Sequence, residues 1–450
     1  MNETHVRNLS PLDGRYHDKT KVTREIFSEH GLIVARVKSE VSWLTFFLEN
    51  FQKDLLTPKT KKQLEDILLN PSDEIVLRVK EIEKKTNHDV KAVELAIAEY
   101  FDGDEKIQSL IHIFLTSEDI NSLSYSIMLQ NIVNSFQKMF TDLSKIIEEK
   151  ANKYSDLAMM ARTHGQAATP TTLGKELNVF SQRLITQLKI LKEQKVYAKW
   201  GGATANYNPH LLAYPDSDWL EISKSFLSKH KVNLTEVSTQ IEPHDYMADI
   251  FQNIVRLNNI LLDLSQDLWT YISLDYFKLK MVGDEVGSST MPHKVNPIDF
   301  ENAEGNLGLS NAIFSHLADK LTQSRLQRDL SDSTVLRNIG SAFGYCEISI
   351  NSLLKGLKKL EANKEKISLD LSNRYELLAE PLQCFLRLEG KKNAYDLVKK
   401  ISRGKARNKE IYQEAVNSLV DKEEYRNILL KLKPSTYVGL AEMLAKKGEL

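Results

Sequence analysis

A chain of 450 residues exceeds what a single hydrophobic core usually serves, so two or three domains are expected. Its 60 Lys and Arg against 61 Asp and Glu leave a net charge of -1, which excludes wholesale attraction to nucleic acid or a membrane surface while leaving room for local basic pockets. Two cysteines, Cys346 and Cys384, make neither a disulfide framework nor a zinc cluster, and the polar opening MNETHVRN with no apolar run of about 18 residues predicts a cytosolic chain without signal peptide or membrane span.

Glycine and proline usage sets the fold class. The chain has 18 Gly and 11 Pro, roughly half the ordinary share, and residues 104–164, 175–200, 244–282 and 309–339 contain neither. A sheet protein of this length needs many more turn residues, so the class expected is all-α. Between Phe251 and Ile272 the apolar positions Phe251, Ile254, Val255, Leu257, Leu261, Leu264, Leu268 and Ile272 recur at three- and four-residue steps, a helical stripe that Ile260, Leu262 and Trp269 widen. One helix over 244–282 would span roughly 58 Å, more than a compact monomer covers, so partner helices are expected to complete its burial in a homo-oligomer. The expected organisation is a helical N-terminal domain over 1–110, a central long-helix bundle over 111–362 and a helical C-terminal domain over 363–450.

In chain order, SPLDGRY at 10–16 is a turn that delivers Arg15 and Tyr16 either to solvent or to a phosphate. Helical segments follow at about 18–53 and 59–69. In NHDVKAVE at 87–94, Asn87 or Asp89 fits a helix cap, while His88 beside them either contacts an anion or is structural. TSEDI at 116–120 reads as an N-cap, Thr116 followed by Asp119; a helix N-terminus also lets Thr116 and Ser117 receive a carboxylate. RTHGQAATP at 162–170 is expected to kink or turn a long helical tract and to present His164, either as a solvent histidine or as a general acid, since imidazole with an ordinary pKa of about 6.5 donates a proton at neutral pH.

TQIEPHDY at 239–246 precedes the longest tract, with Pro243 suited to its first turn. His244 and Asp245 lack the spacing of a metal site, and Gln240 is the better candidate for a polar substrate contact. Residues 283–297, GDEVGSSTMPHKVNP, place two glycines, two prolines, hydroxyls, an imidazole and an ammonium in one connector. That composition suits a loop that binds and polarises a carboxylate, or a solvated linker. RLQRDLSDSTVLR at 325–337 collects Arg328, Ser333 and Arg337; the two arginines, nine residues apart, fall on one side of a helix and suit a phosphate dianion or surface salt bridges.

Together, GSSTMPHKVNP, RTHGQ, TSED and the all-α tracts resemble the aspartase/fumarase superfamily of lyases, and SPLDGRY, TNHDVKAVE, TQIEPHDY and RDLSDSTVLR bring the likeness closest to its branch acting on succinylated purine nucleotides. The likeness runs from about residue 8 to 385; the lysine-rich remainder carries no motif. Ala167 departs from the proline common in relatives, which implies a less rigid turn at His164.

The resemblance implies elimination of fumarate from N6-(1,2-dicarboxyethyl)-AMP and from the succinylated carboxamide ribotide of purine synthesis, with no cofactor and no metal. It assigns Ser288 as the base that removes the Cβ proton and His164 as the acid that protonates the departing nitrogen. Lys294 and Asn296 would hold the carboxylate that gathers charge; Thr116, Ser117, Gln240 and Asn302 match succinyl contacts. Arg15, Tyr16, His88, Arg328, Ser333 and Arg337 match nucleotide and phosphate contacts, flanked by Asn87 and Asp89. It further implies a homotetramer whose sites combine segments of three subunits. A sister lyase acting on argininosuccinate, aspartate or malate would share the loop chemistry without needing a phosphate pocket. A silent helical scaffold would need none of the residues His164, Ser288 and Lys294.

Overall fold

The computed structural model describes residues 7–69, 71–280, 291, 294–402 and 408–448. They are overwhelmingly helical, as the scarcity of Gly and Pro requires. In chain order the elements that matter here are α1 (Glu29–Phe51), α2 (Asp73–Thr86), α3 (Asp89–Tyr100), α4 (Ser117–Lys153), β1 (Ala158–Thr163), β2 (Gln166–Thr172), α5 (Leu173–Glu193), α6 (Asp245–Ser273), β3 (Phe277–Leu279), α7 (Ile298–Leu321), α8 (Ile339–Lys359) and β4 (Leu360–Ala362). The strands form antiparallel ribbons, β1 with β2 and β3 with β4.

The chain folds into two compact units, one of Met1–Met139, Gln187–Asn259 and Gly305–Asn351, the other of Phe140–Thr186, Ile260–Glu304 and Ser352–Leu450. In the first, a core runs from Ile33 to Ile107, with Val37, Val41, Leu44, Val79, Val93 and Ile97 closed off from solvent at helical spacing. Burying each such side chain contributes about 1.5–3 kcal/mol. The same unit holds an aromatic cluster in which Trp43 meets Trp200 at 5.4 Å and Phe226 at 5.2 Å between ring centroids. In the second unit a further core extends from Leu378 to Leu429.

Two tracts end earlier than their lack of Gly and Pro suggests. The stripe of α6 is buried at Phe251, Ile254, Leu257, Leu261, Leu264 and Leu268, but the helix stops at Ser273 after 29 residues, about 44 Å instead of 58 Å. Asp275 turns left-handed at φ 60 and the Tyr276 N–H closes on the Tyr271 carbonyl at 2.9 Å, which sends the chain into β3. Trp269 is 44% exposed, so the widened stripe is not buried all round. Likewise α4 ends at Lys153, and of the kink or turn expected around His164 the structure has the turn, at the tip of a β-hairpin.

One glycine sets where that hairpin leads. A Cβ on Gly174, the second residue of α5, would stand 2.3 Å from the Ala151 carbonyl oxygen, and its N–H bonds the Tyr154 carbonyl at 2.9 Å. Only a residue without a side chain lets the start of α5 lie against the end of α4 this closely.

Candidate active site

Within the first unit, the turn between α2 and α3 supplies one wall of a cavity. Asn87 ends α2 in the left-handed conformation at φ 51. The cap of α3 is His88, in place of the Asn87 or Asp89 expected: its Nδ1 accepts the Lys91 N–H at 3.2 Å. An accepting Nδ1 leaves the proton of a neutral ring on Nε2, as a donor. Asp89, the first residue of α3, is occupied by cations instead, with Arg36 Nη1 at 2.9 Å and Arg337 Nη2 at 3.2 Å from its Oδ2. Burial raises the Asp89 carboxyl, but the Arg36 charge, the Val90 N–H and Arg337 outweigh it and hold the group below the ordinary carboxylate range.

The start of α4 supplies the second wall. Thr116 precedes the helix and its N–H donates to Asp119 Oδ2 at 2.8 Å, one half of a capping box. Asp119 Oδ1 meanwhile meets Lys199 Nζ at 2.8 Å, both side chains fully buried, and accepts the Gly201 N–H at 3.0 Å. One carboxylate therefore pins both the helix start and the loop after Ala198. Glu118, in the same turn, pairs with Arg328 Nη2 at 2.7 Å; burial pushes its carboxyl above the ordinary range in spite of that arginine.

The third wall is the segment after α7. Arg328 and Arg337 do not share one long helix: Arg328 lies in an irregular stretch that Asp329 organises by accepting the Arg325 N–H at 3.1 Å, and Arg337 ends the short helix Ser331–Leu336. Their convergence does not come from the spacing of one helix: between them the chain turns at Asp329, whose Oδ1 accepts the Ser331 N–H at 2.8 Å, before entering the short helix that ends at Arg337. Asn87, His88, Asp89, Ser117, Arg328, Ser333 and Arg337 all line one cavity of about 300 Å³, joined by Glu83, Glu118 and Asn121. Arg328 Nε is buried without a hydrogen-bond partner among the described residues. A buried donor left unpaired costs about 1–3 kcal/mol, which a ligand acceptor would recover.

Other candidates stand apart from these walls. Arg15 and Tyr16 follow the expected turn, held by the Tyr16 N–H to Pro11 carbonyl bond at 2.8 Å, but Arg15 is exposed and neither residue lines this cavity. A neighbouring cavity of about 260 Å³, bounded by Ser10, Asp13, Thr20, Arg24 and Arg337, lies beside that turn. Thr116 and Gln240 are half-buried and also outside the lining. His112, between Glu40 at 2.6 Å and Glu94 at 3.8 Å, forms the one group of three metal-ligand side chains found among the described residues. Burial lowers the His112 imidazole's pKa, but the bond and charge of Glu40 raise it above its ordinary value.

In the second unit, β1 and β2 pair Thr163 with Gln166, leaving His164 and Gly165 as a two-residue turn. Both have positive φ, 54 and 72, as in a type I′ hairpin. His164 is exposed, and Arg162 Nη1 donates to the Gly165 carbonyl at 3.3 Å across the turn. Ala167 pairs with Arg162, next to the turn-closing pair; alternation of the ladder makes this a non-hydrogen-bonded pair, so the N–H that proline would lack faces outward. Lys294 is exposed, Asn296 is half-buried, and Asn302 on α7 accepts the Ser352 hydroxyl at 2.8 Å. Ser288 lies outside the described residues.

The polar lining residues missed from the sequence are Glu83, Glu118 and Asn121, with Arg36 behind them. Arg36 did carry a signal: it interrupts the apolar run Leu32, Ile33, Ala35, Val37 on the buried face of α1.

A family model described as Lyase matches residues 14–311, and one described as Adenylosuccinate lyase C-terminal matches residues 324–438. Among curated relatives, the adenylosuccinate lyase of Legionella pneumophila (strain Corby) is 46% identical over 453 residues, covering 99% of both chains. That of Haemophilus influenzae is 43% identical with 98% of each covered, and that of Escherichia coli (strain K12) 42% identical with 96% of each covered. A solved fumarate lyase from Mesorhizobium sp. BNC1 superposes with TM-score 0.77 at 16% identity, covering 94% of this chain and 96% of the other, a likeness of fold.

Proposed function

The chain belongs to the adenylosuccinate lyase family, and from that premise we propose that the arginine-lined cavity is its nucleotide phosphate site and that His164 is the general acid of the elimination. The reaction splits N6-(1,2-dicarboxyethyl)-AMP into fumarate and AMP, and the succinylated carboxamide ribotide in the same way. A base removes the Cβ proton, the electron pair is held through the adjacent carboxylate, and the Cα–N bond breaks as the leaving nitrogen takes a proton.

The observation that carries this reading is the convergence of two arginines, two hydroxyls and a histidine on one cavity from sequence positions as far apart as His88 and Arg337. Planar guanidinium groups grip a phosphate dianion bidentately, and Arg328 Nε is a buried donor without an acceptor among the described residues. Ser117 and the His88 Nε2 proton add neutral donors suited to phosphate or carboxylate oxygens.

His164, which stands on an exposed hairpin turn, is the proposed proton donor to the leaving nitrogen. Ser288 is the proposed base, with Lys294 and Asn296 on the growing negative charge, and Thr116, Gln240 and Asn302 on the succinyl part. Arg15 and Tyr16 join the nucleotide contacts from the turn beside the Arg337 cavity. Four chains assemble, with each site drawing on three of them, which brings His164 of one subunit to Ser288 of another. The test is an ultraviolet assay of the purified protein: conversion of adenylosuccinate with release of stoichiometric fumarate is expected. Turnover of argininosuccinate, aspartate or malate in its place would overturn the nucleotide assignment.

A further inference from the structure

The two arginines of the cavity are tied together from behind. Arg337 Nη2 reaches Asp89 Oδ2 at 3.2 Å, and the same oxygen takes Arg36 Nη1 at 2.9 Å. Arg36 Nε then donates to Asn121 Oδ1 at 2.9 Å, Asn121 Nδ2 to Glu118 Oε1 at 2.6 Å, and Arg328 Nη2 to that Glu118 oxygen at 2.7 Å. Arg36 is the member that joins both branches. It is only 4% exposed and does not line the cavity, so its charge is spent inside the chain of bonds instead of on a ligand.

Charge explains why a third cation belongs there. Arg328 and Arg337 alone would be matched by Glu118 and Asp89, and each carboxylate would compete with an incoming anion for its arginine. A cation fixed behind both leaves the set of five charges at +1, and the remaining lining carboxylate, Glu83, has its own partner in Lys80 at 2.6 Å. Its planar fork also sets the spacing, because Nη1 and Nε leave one rigid guanidinium in two fixed directions.

We propose that Arg36 is a positioning residue for the anionic end of the ligand: it holds Asp89 directly and Glu118 through Asn121, and so presents Arg337 and Arg328 at one spacing with net positive charge. This rests on the assignment of the cavity as a phosphate site, and the two fail differently. The measurement is calorimetric affinity for AMP and for adenosine, which lacks the phosphate. Arg36→Met is expected to weaken AMP about tenfold, the loss of one charge-assisted contact, while adenosine changes less than about twofold. Adding Asp89→Asn, which removes the carboxylate left uncompensated, should restore most of the AMP affinity.

A structural role alone would lower both ligands equally and show no rescue, and either result overturns the proposal. If Arg337→Ala weakens AMP and Arg36→Met does not, the positioning role is wrong and the phosphate site stands. If Arg337→Ala and Arg328→Ala both leave AMP affinity unchanged, the phosphate site is wrong and the proposal falls with it. Should Arg36→Met fail to fold by circular dichroism, Asn121→Leu cuts only the Glu118 branch. About threefold weaker AMP with unchanged adenosine supports the proposal there, and wild-type affinity for AMP or equal loss on both ligands refutes it.

Discussion

The cavity of the first unit and the hairpin of the second hold their functional groups in opposite ways. Around the cavity, side chains are fixed: Asp89, Arg36, Asn121, Glu118 and Arg328 form one unbroken sequence of bonds, and Asp119 with Lys199 locks the helix start beside it. At the hairpin the backbone is fixed by strand pairing and two positive φ angles, while the His164 side chain stands exposed. A binding surface gains from rigid charges, because ordering cost is met before the ligand arrives. A proton donor gains from being presented to whatever completes the site. Substitutions in the two regions should therefore separate stability from turnover.

The largest separation is expected at the hairpin. His164→Ala should lower kcat about 10²- to 10⁴-fold, with a melting temperature like that of the wild type, since the imidazole has no buried packing to lose. Mixed refolding sharpens the point: unfolding inactive His164→Ala and Ser288→Ala chains together and refolding them should restore about a quarter of wild-type sites if the residues come from different subunits. Continued inactivity of verified hybrid oligomers would place both in one chain.

Lys199→Met is expected to act in the reverse sense. Leaving Asp119 buried without its cation should cost about 3–5 kcal/mol, read as a lowered denaturant midpoint. A midpoint within error of wild type would show that the fixed network is not what holds the cavity. Next in size, Arg328→Ala or Arg337→Ala should weaken AMP by about 1.5–3 kcal/mol in titration calorimetry.

The smallest effect separates the regions by pH. His210, between Phe114 and Trp219 in the first unit, has neither ring nitrogen bonded among the described residues. Burial first, and then the Lys199 charge, push its imidazole down to about 4. Its folded value lies below the unfolded one of about 6.5, so the unfolded chain takes up a proton that the folded chain refuses. Stability from this group is complete above about pH 6.5 and declines as pH falls toward 4, by about 1 kcal/mol at pH 5.5. His210→Phe should lose less stability than wild type between pH 7.5 and 5.5; equal losses would exclude this histidine as the source.

Much of the molecule is legible in the linear chain, because helices report themselves locally. Scarce Gly and Pro and the three- and four-residue steps of Phe251 to Leu268 require long amphipathic helices whatever surrounds them. The family motifs likewise carry the reaction type, since the residue kinds that polarise a carboxylate or hold a phosphate are few. What the sequence could not determine depends on contacts made across the chain. The end of α6 at Ser273 goes with the pairing of β3 to the distant β4, which no local propensity encodes, whereas the hairpin after α4 pairs neighbouring segments across the two-residue turn at His164 and Gly165. That His88, not its neighbours, caps α3 depends on one left-handed residue at Asn87. Arg36 reads locally as a charge misplaced on an apolar face; only the folded chain, which brings Asp89 and Asn121 to within 2.9 Å of it, makes that charge part of a bonded network.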